Sequence, residues 1–285
     1  MEKEEAMSRQ LLETSKPFVR FGKELTLNPV IRSTTGLESI TVHEEQDIFI
    51  VGYPKSGNTW FQNLASGIIY GVNPQYTPEA LIRELVPDVH KKRYYRRFST
   101  PMFFKSHALP RPEYRRVVYL LRDGRDAMVS YYHYLTGWRG RNVDFWEMVK
   151  NGEGLICKWH DHVNAWLSNP YDAEILTIKY EDLKLQTVHE LQRFCDFTGT
   201  DRDNSWLEQV AENAVFNKMQ NKEKSGKYFD DPNPANDNLF FRRGVVGSYK
   251  DEMPTDILAL FLNDSQETLE RCGYSLDDFG VANEE

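Results

Sequence analysis

Short apolar runs alternate along this chain with longer stretches in which apolar residues recur every three or four positions. Asp47-Ile48-Phe49-Ile50-Val51 is too short for a helix, so residues 48–51 read as a buried strand. In Asn58–Tyr70, Trp60, Leu64, Ile68 and Ile69 fall largely on one face, which predicts a helix, and residues 78–86 predict a second. Further strands are predicted over 102–105, 117–121 and 174–178, and further helices over 126–135 and 188–197. Residues 1–45 lack a strong period and read as an N-terminal leader packing on a domain that occupies 46–285. The stretch 221–238, rich in Lys, Asp, Asn and Pro, reads as a mobile loop or lid. No internal repeat is evident.

Strands that alternate with helices predict a single α/β domain, with right-handed crossovers and a central, mainly parallel sheet flanked by helices. Ligands in such sheets gather at the carboxyl ends of the strands. Three polar segments fall there. Gly52-Tyr53-Pro54-Lys55-Ser56-Gly57-Asn58-Thr59-Trp60 follows the first strand, Lys105-Ser106-His107 the second, and Arg122-Asp123-Gly124-Arg125-Asp126 the third.

The first segment has the glycine and hydroxyl spacing of a phosphate-binding P-loop, with Asn58 in the usual lysine position and a lysine three residues earlier, at Lys55. A tight turn entering a helix aims unpaired N–H groups and the positive helix end at one point, where an anion fits. A nucleoside triphosphatase would also need an aspartate for magnesium at the end of the third strand. Arg122 stands there instead. What remains is a metal-free arrangement in which Lys55 neutralises charge on a leaving group.

Composition narrows the partners. The 285 residues are 40% apolar and 13% aromatic, enough for a globular core, and 35 Lys and Arg against 43 Asp and Glu give a net charge of −8. This balance argues against a general nucleic-acid or anionic-membrane binder, and no run approaches a membrane span. Cys157, Cys195 and Cys272 suggest neither a disulfide framework nor a zinc site. The charged start lacks a signal-peptide core, so a reducing cytoplasm is the expected compartment.

Four segments carry a resemblance to a known family: residues 53–60; Lys105-Ser106-His107-Ala108-Leu109-Pro110; residues 122–133; and Arg242-Arg243-Gly244-Val245-Val246-Gly247. With Tyr180-Glu181-Asp182 they span about residues 47–250, in order and with matching spacing. The chain resembles the cytosolic-type sulfotransferases, which use 3′-phosphoadenosine 5′-phosphosulfate as co-substrate and release adenosine 3′,5′-bisphosphate. The resemblance implies that Lys55, Ser56, Gly57, Asn58 and Thr59 hold the 5′-phosphosulfate, and that Trp60 and Phe216 sandwich the adenine near Tyr180. It further implies a 3′-phosphate site of Arg122, Ser130, Arg242, Arg243 and the Gly244 backbone. The guanidinium fork suits a phosphate.

His107 is the candidate general base, since an imidazole with an ordinary pKa near 6.5 can accept the proton of an acceptor hydroxyl. Lys105 stands beside Lys55 to stabilise the transferring group, Ser130 tethers Lys55 by the resemblance, and Tyr134 matches an aromatic acceptor contact. Trp138, Phe145 and Trp146 are candidates to continue that wall or to belong to the core, as is His133. Plainer readings exist for Arg122, as a salt bridge to Asp123 or Asp126, and for Arg242-Arg243, as a solvated basic pair. His160 and His162 point apart on a helix and do not suggest a metal site.

The chain also departs from the family. Asn58 and Ala214 stand where threonines are frequent, and residues 247–257 do not reproduce the short dimerisation motif, so the oligomeric state stays open. The expected activity is direct, metal-free transfer of a sulfonate group to a hydroxyl of a small-molecule acceptor. An amine or cationic acceptor, a P-loop small-molecule kinase and a catalytically silent nucleotide binder are the alternatives.

Overall fold

The computed structural model describes residues 33–226 and 238–276. The first elements are β1 (Glu38–Ser39), β2 (Ile48–Gly52), α1 (Asn58–Tyr70), α2 (Glu79–Leu85), β3 (Tyr94–Tyr95), β4 (Phe103–Ser106) and β5 (Arg116–Leu121). Helices α3 (Gly124–His133), α4 (Phe145–Asn151) and α5 (Trp159–Ser168) follow, with a π-helical turn over Tyr134–Trp138 after α3. Then come β6 (Glu174–Lys179), α6 (Tyr180–Leu185), α7 (Thr187–Thr198), α8 (Asn204–Asn213), α9 (Phe216–Lys224), α10 (Tyr249–Glu252) and α11 (Thr255–Arg271).

The architecture is a single α/β domain around a parallel sheet of order β4-β2-β5-β6, with helices on both faces. Alternation along the strands explains why both faces need cover. Phe49, Val51, Phe104, Val117, Tyr119 and Leu121 belong to one apolar core, and Ile48, Ile50, Phe103, Val118, Leu120 and Ile178 to the other. Helices α3, α5 and α11 supply Met128, Trp159 and Phe261 to the first; α1, α7 and α8 supply Leu64, Phe194 and Leu207 to the second.

Two sequence expectations change here. Strand β5 follows β4 without a helix between them, and residues 107–115 carry the chain back past β2, with Tyr114 stacked 3.8 Å from Phe49. That stacking ring supplies the cover a crossover helix would otherwise give. The loop expected over 221–238 begins inside α9, which runs to Lys224; residues 227–237 lie outside the described residues. Of the expected leader, residues 1–32 also lie outside them, while β1 pairs antiparallel with β3.

Candidate active site

Strand β2 ends in a turn bent by two residues with positive φ, Lys55 at 72° and Gly57 at 91°. Glycine is required at 57, because a Cβ there would stand 2.8 Å from the Tyr180 ring. Lysine at 55 carries the strain that marks many functional turns. Gly57 caps α1 without a side chain, so the first N–H groups of the helix, from Asn58 onward, are left open to an anion. The Ser56 amide is not among these open groups, since it bonds to the Tyr53 carbonyl at 3.1 Å. Asn58 also turns inward: its Nδ2 donates to the Tyr53 carbonyl at 3.0 Å and closes the loop from within. The residue at the usual lysine position therefore braces the turn.

The Lys55 ammonium lies 4.0 Å from the centroid of the Phe240 ring and 4.6 Å from that of Tyr134. Burial, then Arg122 and Lys105, push its pKa down to about 7. Among the described residues the ammonium lies against these two rings, with Ser130 lining the same cavity. Glu223 fixes one of those rings, accepting the Phe240 and Phe241 amides at 2.6 and 2.9 Å.

Strand β4 places Lys105 and His107 beside this turn. Lys105 Nζ donates to Thr59 Oγ1 at 3.3 Å and stands 3.5 Å from Asp88 Oδ2. His107 Nδ1 donates to the Gly52 carbonyl at 2.7 Å, an acceptor that requires the proton on Nδ1 and leaves a lone pair on Nε2. Burial, then Lys105, hold His107 well below its ordinary pKa of 6.5, with the Gly52 bond acting the other way. The main chain at His107 is pinned as well, its amide donating to His90 Nε2 at 2.9 Å and its carbonyl lying 3.3 Å from His162 Nε2.

The three arginines are engaged. Arg122 donates to the carbonyls of Lys55 at 3.0 Å and Val245 at 3.2 Å, stands 3.6 Å from Asp126, and lies 4.4 Å from the centroid of Tyr180. It thereby joins the Lys55 turn to the 242–247 segment, and its pairing with Asp126 matches the plainer sequence reading. Arg242 and Arg243 both bond to Glu252, so they are not a solvated basic pair. Gly244 has φ 60°, and a Cβ there would meet the Phe216 ring at 2.3 Å. Asp126 anchors the rest of the segment, accepting from Gly247 N, Ser248 Oγ and Tyr249 N at 2.8, 3.1 and 3.0 Å.

A cavity of about 780 Å³ joins these parts, within the usual range for small-molecule sites. Lys55, Gly57, Asn58, Thr59, Trp60, Lys105, His107, Arg122, Ser130, Tyr134, Tyr180, Phe216, Arg242, Arg243 and Gly244 all line it; Ser56 does not. At one end Trp60 meets Tyr180 edge-on at 5.8 Å and donates Nε1 to the Ala214 carbonyl at 2.8 Å. Arg122 Nε is buried without a hydrogen-bond partner among the described residues, polar capacity that suits a polar ligand.

Other sequence candidates belong elsewhere. Phe145 stacks on Tyr132 at 4.5 Å in the core, and Trp146 packs against the same core. His133 bonds to Glu252 at 2.8 Å. His160 and His162 bond to Ser265 and Tyr119, on different sides. The sequence reading missed Asp88, His90, Glu223, Phe240 and Glu252. His90 has the one visible signal, a polar ring shortly before the Lys105 strand.

A family model described as a sulfotransferase domain matches residues 45–273. Sulfotransferase 1C2 of Homo sapiens is 26% identical over 226 residues, covering 72% of this chain and 76% of that protein. Sulfotransferase 1A1 of Canis lupus familiaris is 25% identical over 291 residues, covering 92% and 97%. Among solved structures, retinol dehydratase in a complex with retinol and PAP superposes with a TM-score of 0.62 at 20% identity, over 81% of this chain and 82% of that one. Mouse sulfotransferase SULT7A1 complexed with PAP gives 0.58 at 22% identity, over 80% and 88%.

Proposed function

Because the chain belongs to the sulfotransferase domain family, we propose that it transfers the sulfonate group of 3′-phosphoadenosine 5′-phosphosulfate to a hydroxyl of a small-molecule acceptor. The observation that carries this reading is the convergence, in one cavity, of the Lys55 turn, Lys105, His107 and the three arginines. Relatives that bear the sulfotransferase name and solved neighbours that hold PAP support it.

The residues present fit such a nucleotide. The open N–H groups at the start of α1 would receive the 5′ end. Trp60, Tyr180 and Phe216 offer aromatic surface for a purine, and Arg122, Arg242, Arg243 and the Gly244 backbone offer donors for the 3′-phosphate. The co-substrate supplies an activated sulfonate group. His107 Nε2 takes the proton of the acceptor hydroxyl as its oxygen bonds to sulfur. Lys55 meets the charge that collects on the departing phosphate oxygen, and Lys105 the charge on the transferring oxygens. Both lysines act in a partly closed, ring-lined site where charge is poorly screened.

For a kinase reading, Asn58 would have to reach a terminal phosphate, yet its amide is committed to the Tyr53 carbonyl. The test is transfer of radiolabelled sulfate from the co-substrate to a panel of phenols, alcohols, steroids and amines. Labelled product is expected from at least one hydroxyl acceptor; labelled amines alone would move the reading to N-sulfation, and no product from any acceptor would overturn it.

A further inference from the structure

The guanidinium pair assigned to the 3′-phosphate already faces a carboxylate. Arg242 spends both terminal nitrogens on Glu252, with Nη1 to Oε2 at 2.6 Å and Nη2 to Oε1 at 2.9 Å. Arg243 Nη1 reaches Oε1 at 2.5 Å, and its Nη2 stands 3.6 Å from Asp251. From α3, His133 Nε2 adds a contact to Oε2 at 2.8 Å. Glu252 is only 14% exposed, whereas the two arginine side chains are 31% and 38% exposed.

Two consequences follow for an anion. One of the two-pronged faces of Arg242, the Nη1–Nη2 pair, is taken, which leaves an anion the side-on pair of Nε and an outer Nη N–H. The two guanidinium charges are also matched by Glu252 and Asp251, so less of their positive charge is left for a dianion, with Arg122 and Lys184 as the other cations lining the site. His133 does not restore it. Burial and Arg242 lower its pKa against the pull of Glu252.

We propose that Glu252 is a resident counter-ion of the 3′-phosphate site, which a 3′-phosphorylated nucleotide must share or displace. It thereby sets how strongly the protein favours such nucleotides over those with a free 3′-hydroxyl, and how tightly the bisphosphate product is held. The inference rests on the function proposed above. Its geometry concerns only the chain's own side chains.

Calorimetry on the full chain, wild type and Glu252→Gln, tests it with adenosine 3′,5′-bisphosphate and with 5′-AMP, which lacks the 3′-phosphate. The amide keeps the shape and removes the charge. Bisphosphate affinity is expected to rise about tenfold, the worth of one charge-assisted contact, while 5′-AMP changes by less than about twofold. A merely structural role would move both ligands together. Bisphosphate binding that is unchanged or weaker in Glu252→Gln, or an equal gain for 5′-AMP, overturns the proposal. Should that variant fail to fold, Glu252→Asp draws the carboxylate back by one methylene, and a smaller gain confined to the bisphosphate is expected. No gain there overturns the proposal equally. If the wild type binds neither nucleotide, the functional reading itself has failed.

Discussion

His107 Nδ1 donates to the main-chain carbonyl of Gly52 at 2.7 Å, so one hydrogen bond fixes both the tautomer of the ring and its position beside the Lys55 turn. The lone pair on Nε2 is then the basic site. With its pKa held well below 6.5, the imidazole is neutral across the physiological range. A base is lost only as pH falls through its own pKa, so kcat/KM is expected to show no acid limb near pH 6.5. A limb there would contradict the assignment. His107→Ala is expected to lower kcat by about 10²–10⁴-fold while bisphosphate affinity changes little.

Lys55 gives a second pH signature, of opposite sense. With a pKa of about 7, its ammonium is mostly deprotonated in the free protein at pH 8. An anionic ligand favours the charged form, so binding raises the pKa and takes up a proton. Bisphosphate affinity is therefore expected to weaken as pH rises above about 7, and binding enthalpies in two buffers of different ionisation enthalpy should reveal proton uptake. Phe240→Ala, which reduces the burial that depresses this pKa, should diminish the uptake at pH 7.5. Equal enthalpies in both buffers would contradict this.

Gly57→Ala places a methyl group 2.8 Å from Tyr180 at a φ of 91°. The expected cost is about 1–3 kcal/mol in chemical denaturation, with weakened bisphosphate binding because the turn and the Tyr180 ring move together. A fully stable variant with native affinity would show that the turn is not the cradle.

Asp126 accepts three hydrogen bonds from residues 247–249 and stands 3.6 Å from Arg122. Asp126→Ala strands those donors and one buried guanidinium, so a loss of about 3 kcal/mol is expected in denaturation, together with reduced affinity for the bisphosphate. A change below about 1 kcal/mol would contradict that anchoring role.

The sequence carried the strand-turn-helix at residues 48–70 because its cues are local: a short apolar run, two glycines and a one-sided helix face. His107 was legible for a similar reason, since topology alone brings the end of β4 beside the end of β2. Long-range partners were not legible. Nothing local marks Phe240 as the ring over Lys55, because its position depends on Glu223 holding two amides across the gap between α9 and the 240–241 segment. Glu252 sits in an acidic stretch like many on a solvated surface, and only the fold reveals that it caps two arginines. The helix-free return from β4 to β5 was hidden too, being secured by the stacking of Tyr114 on Phe49.

In the proposed function the cradle serves a nucleotide phosphosulfate and its bisphosphate product, with Lys55 and the arginines in place of magnesium. Calorimetry of adenosine 3′,5′-bisphosphate in the presence of a chelator tests it most directly. Binding at about micromolar Kd or tighter is expected, unchanged when magnesium is added and stronger than that of ATP with magnesium. Absence of binding, or binding that appears only with magnesium, would contradict it.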